Sequence, residues 1–218
     1  MSTIGVIFDL DGVIVDTAKY HFLAWKDLAD ELGFEFTEAH NELLKGVSRV
    51  RSLEILLDIG NVKLSEEKKQ EYLISKNEVY LGYITKMGPD EILPGAEDLL
   101  NNLDALEVKY VLGSASKNAP LILKQVGLLD RFAAIVDGNS VSKAKPDPEV
   151  FLIGAEKLGL PPEKCIVFED AIAGVEAAKA AHMVSIGIGD QETLSHANFN
   201  FNNLTEIPED FFAQFISE

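Results

Sequence analysis

Short apolar runs rich in β-formers punctuate the chain, and stretches with helical spacing of apolar positions separate them. Ile4-Gly5-Val6-Ile7-Phe8 is apolar at every position and is ended at once by Asp9, Asp11 and Gly12. A run without alternation predicts a strand buried on both faces, as in the centre of a parallel sheet. Similar runs recur at Tyr110-Val111-Leu112, Ala134-Ile135-Val136, Cys165-Ile166-Val167-Phe168 and Val184-Ser185-Ile186. Helix starts are legible between them: Asn118 is expected to cap the run through Val126, and Asp147-Pro148 supplies an N-cap and first position for a helix to Leu158. From Pro94 onward strand and helix alternate, which predicts an α/β fold with a doubly wound, Rossmann-like parallel sheet.

The first strand and the next one, at Tyr110, lie too far apart for a single crossover, and the intervening chain reads as helices. Phe22, Trp25, Leu28, Ala29 and Leu32 recur at three- and four-residue spacing, with Gly33 as a stop. Further helices fit Val50 to Asp58 and Ser65 to Tyr83, the latter opened by Ser65 and two glutamates in its first turn. The pattern predicts an inserted α-helical cap domain at 16–89, with hinges near Val15 and Pro89. Residues 1–15 and 90–218 then form the catalytic core.

Composition narrows the class. The 218 residues are 47% apolar and 25% charged, as in soluble globular domains, and neither disorder nor a fibrous class is indicated. A net charge of -17 argues against nonspecific nucleic-acid binding, which needs Lys and Arg against phosphates. Small phosphorylated ligands stay open to it, because exposed charges are screened beyond about 8 Å and a local cluster of cations can dominate a cleft. A single cysteine, Cys165, allows no internal disulfide and fits a reducing compartment. The apolar start is too short for a signal segment or a membrane span. The expected setting is cytoplasmic.

Four separated pieces carry candidate chemistry, each just after an expected strand or at a helix start, and in open α/β sheets such places converge. Asp9-Leu10-Asp11-Gly12 offers a carboxylate able to attack phosphorus and a second acid placed to handle the proton of another reacting hydroxyl. Ser114-Ala115-Ser116-Lys117-Asn118 sets small hydroxyl residues, free amides and a lysine at a helix start, a phosphate site. Lys145-Pro146-Asp147-Pro148 holds a lysine on a stiffened approach, with Lys143 an equally eligible neighbour. Glu169-Asp170 supplies hard oxygen ligands that, with Asp9, would suit Mg²⁺. Gly187-Ile188-Gly189 resembles a dinucleotide loop but lacks the third glycine and follows the last expected strand. His40, His182 and His196 stand apart from any ligand cluster and read as surface or loop residues, while Arg51 and Lys63 read as solvated.

In order and spacing, these four pieces resemble the motifs of the haloacid dehalogenase superfamily of aspartyl-phosphate enzymes over the whole chain. The resemblance implies Asp9 as nucleophile, Asp11 as general acid/base, Ser114 and Lys145 holding the transferring phosphoryl group, and one Mg²⁺ on Asp9, Asp170 and the backbone carbonyl of Asp11, supported by Glu169. In the cap, Asp16-Thr17-Ala18-Lys19-Tyr20-His21 with Ala24-Trp25, then Leu44-Lys45-Gly46-Val47-Ser48-Arg49, then Ser75-Lys76-Asn77, are similar to the sugar phosphomutases of that superfamily. Thr17, His21 and Trp25 share one helix face. This narrower resemblance implies that His21 assists Asp11 and that Thr17 acts beside it. It also implies that Arg49 grips the non-transferring phosphate with Ser116, Lys117 and Asn118, and that Trp25, Lys45, Gly46, Val47, Lys76 and Ala115 complete the sugar site. The implied activity is reversible isomerisation of β-D-glucose 1-phosphate and glucose 6-phosphate through β-glucose 1,6-bisphosphate. A sugar-phosphate phosphatase on the same core is the alternative, and a noncatalytic metabolite-binding protein a more distant one. The implied partner is a small phosphorylated sugar, with neither nucleic acid nor membrane, and the chain is expected to act as a monomer.

Overall fold

The computed structural model describes residues 4–216. Its parallel sheet has six strands: β1 (Gly5–Phe8), β2 (Tyr110–Gly113), β3 (Ile135–Val136), β4 (Cys165–Glu169), β5 (Val184–Ile188) and β6 (Phe199–Phe201), in the order β3-β2-β1-β4-β5-β6. The unbroken apolar run of β1 has a direct cause, because this strand lies between β2 and β4 and is buried on both faces. Val6 and Phe8 pack on one side with Leu112, Ile166 and Phe168. Ile7 packs on the other with Val111 and Val167.

Helices cover both faces. On the Val6 and Phe8 side, α5 (Ala96–Ala105) and α6 (Ala119–Gln125) bring Leu99, Leu100, Leu103, Ile122 and Leu123 into the core. On the Ile7 side, α7 (Glu149–Leu158) and α8 (Ile172–Ala180) bring Phe151, Ala155, Ala177 and Ala178. Burying apolar surface at about 25 cal/mol per Å² makes these two layers the main source of stability.

Between β1 and α5 lie α1 (Ala18–Leu32), α2 (Glu38–Glu42), α3 (Arg49–Ile59) and α4 (Glu66–Ile84). Trp25, Leu28, Phe36, Leu53, Leu56 and Leu73 form a third apolar cluster among these helices, separate from the two on the sheet. Ala24, Tyr80 and Ile84 join the sheet's own cluster and seat α1 and α4 on it. Gly33 ends α1 as expected, and the Ser65 hydroxyl accepts from the Lys68 N–H at 3.2 Å to open α4.

Several details differ from the sequence reading. The edge strand β6 and the five-residue α2 were not expected. His40 is not a loose surface residue: it sits in α2 and closes a capping box with Thr37, its Nδ1 accepting from the Thr37 N–H at 3.2 Å. Asn118 precedes α6 without capping it through its side chain, whose amide donates to Asn77 Oδ1. The helix at Asp147-Pro148 starts one residue late, at Glu149, whose N–H is bonded by Asp147 Oδ1 at 3.1 Å.

Candidate active site

The carboxyl ends of β1, β2 and β4, with the segment between β3 and α7, deliver the four sequence pieces to one place, and α1–α4 lie over them. Every site residue expected from sequence except Thr17 and Glu169 lines a single cleft of about 710 Å³. Those two are fully buried just behind its wall.

At the floor, Asp9 follows β1 and Lys145 reaches it, Nζ donating to Asp9 Oδ1 at 2.6 Å. The same ammonium donates to Glu169 Oε1, and Glu169 Oε2 accepts the Ala171 N–H at 3.1 Å. Burial works to lower the lysine's pKa, but the Asp9 and Glu169 carboxylates override it and hold the ammonium charged. The choice left open by sequence is thereby resolved in geometry: Lys143 is 69% exposed and pairs with Asp147, whereas Lys145 is buried in the site.

Asp9, Glu169 and Asp170 bring carboxylate oxygens within 4.8 Å of one another. Burial, then the charges of Glu169 and Asp9, pushes the Asp170 carboxyl well above its ordinary range. Crowded hard-oxygen donors of this kind fit a small divalent cation such as Mg²⁺, which relieves the repulsion that raises that pKa. Gly12, at φ +80°, permits the arrangement, because any side chain there would collide with the Asp170 carboxylate.

Asp11 points elsewhere. Its Oδ1 accepts from the Thr17 hydroxyl, and burial followed by the charge of Asp9 raises its pKa to about 6. Thr17 precedes α1 without capping it, and its hydroxyl donates to Asp11. His21, one turn on, meets Lys76 rather than Asp11, with Nζ at 3.0 Å from Nδ1. Burial, then the positive charges of Lys76 and Arg49, keeps the His21 imidazole neutral.

The roof is cationic. Lys76 is buried, with Nζ over the Trp25 ring at 4.5 Å and the Tyr80 ring at 4.6 Å, and no carboxylate of the described residues pairs with it. Burial, then Arg49, lowers its pKa to about 7. Opposite, the loop after β2 is shaped by its own hydroxyls: Ser114 Oγ accepts the Ser116 N–H at 3.1 Å and Ser116 Oγ the Asn118 N–H at 3.3 Å. Asn118 Nδ2 donates to Asn77 Oδ1 on α4 at 3.0 Å, and Lys45 Nζ stands 3.8 Å from Asp170.

Sequence reasoning missed Tyr80, whose ring stacks on His21 at 4.2 Å and which is buried beside Lys76. An aromatic at core spacing on α4 carries no mark that separates it from ordinary packing. It also missed Asn77 as a link between α4 and the loop after β2.

A doubly wound parallel sheet with an acidic cluster at its carboxyl ends, an adjoining lysine and a helical roof is the architecture of phosphoryl-handling α/β enzymes. The chain belongs to the haloacid dehalogenase-like hydrolase family, whose profile matches residues 5–182. It is 45% identical over 195 residues to the β-phosphoglucomutase of Bacillus subtilis strain 168, covering 88% of this chain and 86% of that one. A phosphorylated carbohydrates phosphatase of Thermotoga maritima is 32% identical over 178 residues, covering 81% and 80%. The crystal structure of β-phosphoglucomutase from Clostridium difficile superposes with a TM-score of 0.92 at 40% identity, covering 97% of this chain and 96% of that one.

Proposed function

We propose that this chain is a Mg²⁺-dependent β-phosphoglucomutase, interconverting β-D-glucose 1-phosphate and glucose 6-phosphate through a phosphorylated Asp9 and β-glucose 1,6-bisphosphate. The observation that supports the reading is that one cleft is lined both by the Asp9, Lys145 and Asp170 cluster and by further cations and donors, Arg49, Ser116, Lys117 and Asn118. A bisphosphate that must bind in two orientations needs an anion site at each end. A monophosphate hydrolase needs one.

In this reading 16–89 acts as a cap over the core of 1–15 and 90–218. The phosphoryl group on Asp9 passes to the 6-hydroxyl of β-glucose 1-phosphate, the P–O bond to Asp9 breaking as the new one forms, and Asp11 takes the hydroxyl proton. After the bisphosphate turns over, Asp9 attacks the 1-phosphoryl group and Asp11 returns the proton to the leaving oxygen. A pKa of about 6 lets Asp11 serve both directions near neutrality. Lys145 neutralises Asp9 and the transferring group, with Ser114 and the loop amides beside it, which is where most of the barrier is lowered. Mg²⁺ bound by Asp9, Asp170 and the Asp11 carbonyl, with Glu169 behind, would supply further charge neutralisation on the phosphoryl oxygens. Thr17 and His21 set Asp11 and Lys76, while Trp25, Lys45, Gly46, Val47, Lys76 and Ala115 face the sugar. The setting proposed is a cytoplasmic monomer acting on a small phosphorylated sugar.

The test is the product formed by purified enzyme from β-glucose 1-phosphate, Mg²⁺ and a trace of bisphosphate. Glucose 6-phosphate is expected. Inorganic phosphate released faster than glucose 6-phosphate would replace this reading with a phosphatase.

A further inference from the structure

The chain passes between the sheet and α1–α4 twice, and the two crossings pair with each other. Val15 bridges Ile92 in antiparallel fashion, the Asp16 N–H donates to the Glu91 carbonyl at 3.0 Å, and the Leu93 N–H donates to the Ile14 carbonyl at 2.9 Å. From this ribbon the Glu91 side chain, only 11% exposed, turns onto the first turn of α1. Its Oε2 accepts from Lys19 Nζ at 2.5 Å, and its Oε1 accepts from the Tyr20 hydroxyl. The Tyr20 ring stacks on Tyr83 of α4 at 5.7 Å. One carboxylate thus ties the return crossing to α1 and, through Tyr20, to α4. Immediately before this turn stands Thr17, whose hydroxyl donates to Asp11.

We propose that Glu91 is a positioning residue: by clamping the first turn of α1 to the return crossing it fixes Thr17 against Asp11, so that the aim of the proton-transfer carboxylate is set by the seating of the helical roof. The proposal rests on the role assigned to Asp11 above. Magnitudes favour an effect on rate over one on stability. An ion pair whose lysine is half-exposed, such as Lys19–Glu91, contributes little to folding, whereas a misplacement of about 1 Å at a reacting group can cost about 10²-fold in rate.

The chemistry offers an internal control. Phosphorylation of Asp9 by acetyl phosphate breaks a P–O bond whose leaving group is a stable carboxylate, so it needs no proton from Asp11. Transfer from phospho-Asp9 to a sugar hydroxyl does need Asp11. For Glu91→Ala, Glu91→Gln, Glu91→Asp and Tyr20→Phe, both rates and the melting temperature would be measured in the full chain. Expected for Glu91→Ala is a loss of about tenfold in transfer to β-glucose 1-phosphate, with phosphorylation by acetyl phosphate within about twofold of wild type, an intermediate case on the scale of positioning effects. Glu91→Gln and Tyr20→Phe should fall between, and Glu91→Asp should recover most of the transfer rate. Unchanged transfer, or a fall that tracks both acetyl phosphate turnover and melting temperature, overturns the proposal. If the wild type hydrolyses sugar phosphates instead, the mutase reading fails separately. The clamp is then judged by transfer to water against phosphorylation by acetyl phosphate in the same variants, a selective loss sustaining it and a parallel one rejecting it.

Discussion

Asp9 and Asp11 stand two positions apart on one loop and receive opposite treatment from their surroundings. Asp9 is engaged by the Lys145 ammonium, while Asp11 meets a neutral threonine hydroxyl and is raised to about 6. Asp9→Asn should therefore abolish turnover with the fold intact, since the amide is close in shape but neither a nucleophile nor a good cation ligand; phosphate trapped on another residue by mass spectrometry would contradict the assignment. Asp11→Asn should keep Mg²⁺ affinity, measured by titration calorimetry, while transfer to sugar falls by about 10²–10⁴. Lys145 and Lys143 give the sharpest contrast between residues that sequence could not rank. Lys145→Ala leaves the Asp9 and Glu169 carboxylates buried without their counter-ion and should cost about 3–5 kcal/mol in urea unfolding together with activity. Lys143→Ala, at an exposed lysine, should change neither. Burial decides between them, and burial is a property of the folded loop that no local spacing encodes.

At the scale of elements, β1, β2 and β4 were legible because a strand buried on both faces is dominated by apolar residues, and β5 although its run is broken by Ser185, which is buried with its hydroxyl donating to Asn198 Oδ1. The edge strand β6 was not, since Phe199-Asn200-Phe201 is three residues long and half-buried, too short for any period to show. Nor was α2 visible, its capping box being closed by histidine where the usual signal is Glu or Gln. The four chemical pieces were readable from residue type and place, yet the direction of their side chains was not: Asn118 turns to Asn77 instead of capping α6, and His21 turns to Lys76 instead of Asp11. The junction of β4 and α8 shows why close packing matters to chemistry. Gly174 lies against the Glu169 carboxylate, so that a methyl group there would collide with it and push it off Lys145. Gly174→Ala should cost roughly 1–3 kcal/mol by overpacking and lower turnover out of proportion. Far-UV circular dichroism and phosphorylation by acetyl phosphate would check both halves, and normal phosphorylation would show that Glu169 is not needed to orient the lysine.

Over the whole molecule, a chain of net charge -17 keeps a cationic recess between its helical roof and its sheet. That helices intervene between the first two strands was legible from the length of chain between them. That Arg49, Lys76 and the Ser116–Asn118 loop face one another across a single cleft required the fold. Arg49→Ala should impair isomerisation far more than hydrolysis of phospho-Asp9, because arginine's planar fork suits the distal phosphate and water needs no such anchor; equal losses in the two assays would assign Arg49 to the fold. The buried Lys76 has a consequence for proton traffic. Its pKa is about 7 in the folded chain against an ordinary 10.5, so between those values the unfolded chain binds more protons, and folding stability should gain from this group as pH rises through that window. At pH 8 the free protein holds this amine largely neutral, and a phosphate dianion held by the neighbouring Arg49 would raise its proton affinity. Substrate capture then draws a proton from the buffer: the calorimetric enthalpy should vary linearly with buffer ionisation enthalpy, with an uptake approaching about one proton that Lys76→Met eliminates. The cleft would thus bind acid together with sugar phosphate, and its affinity should weaken as the medium turns alkaline.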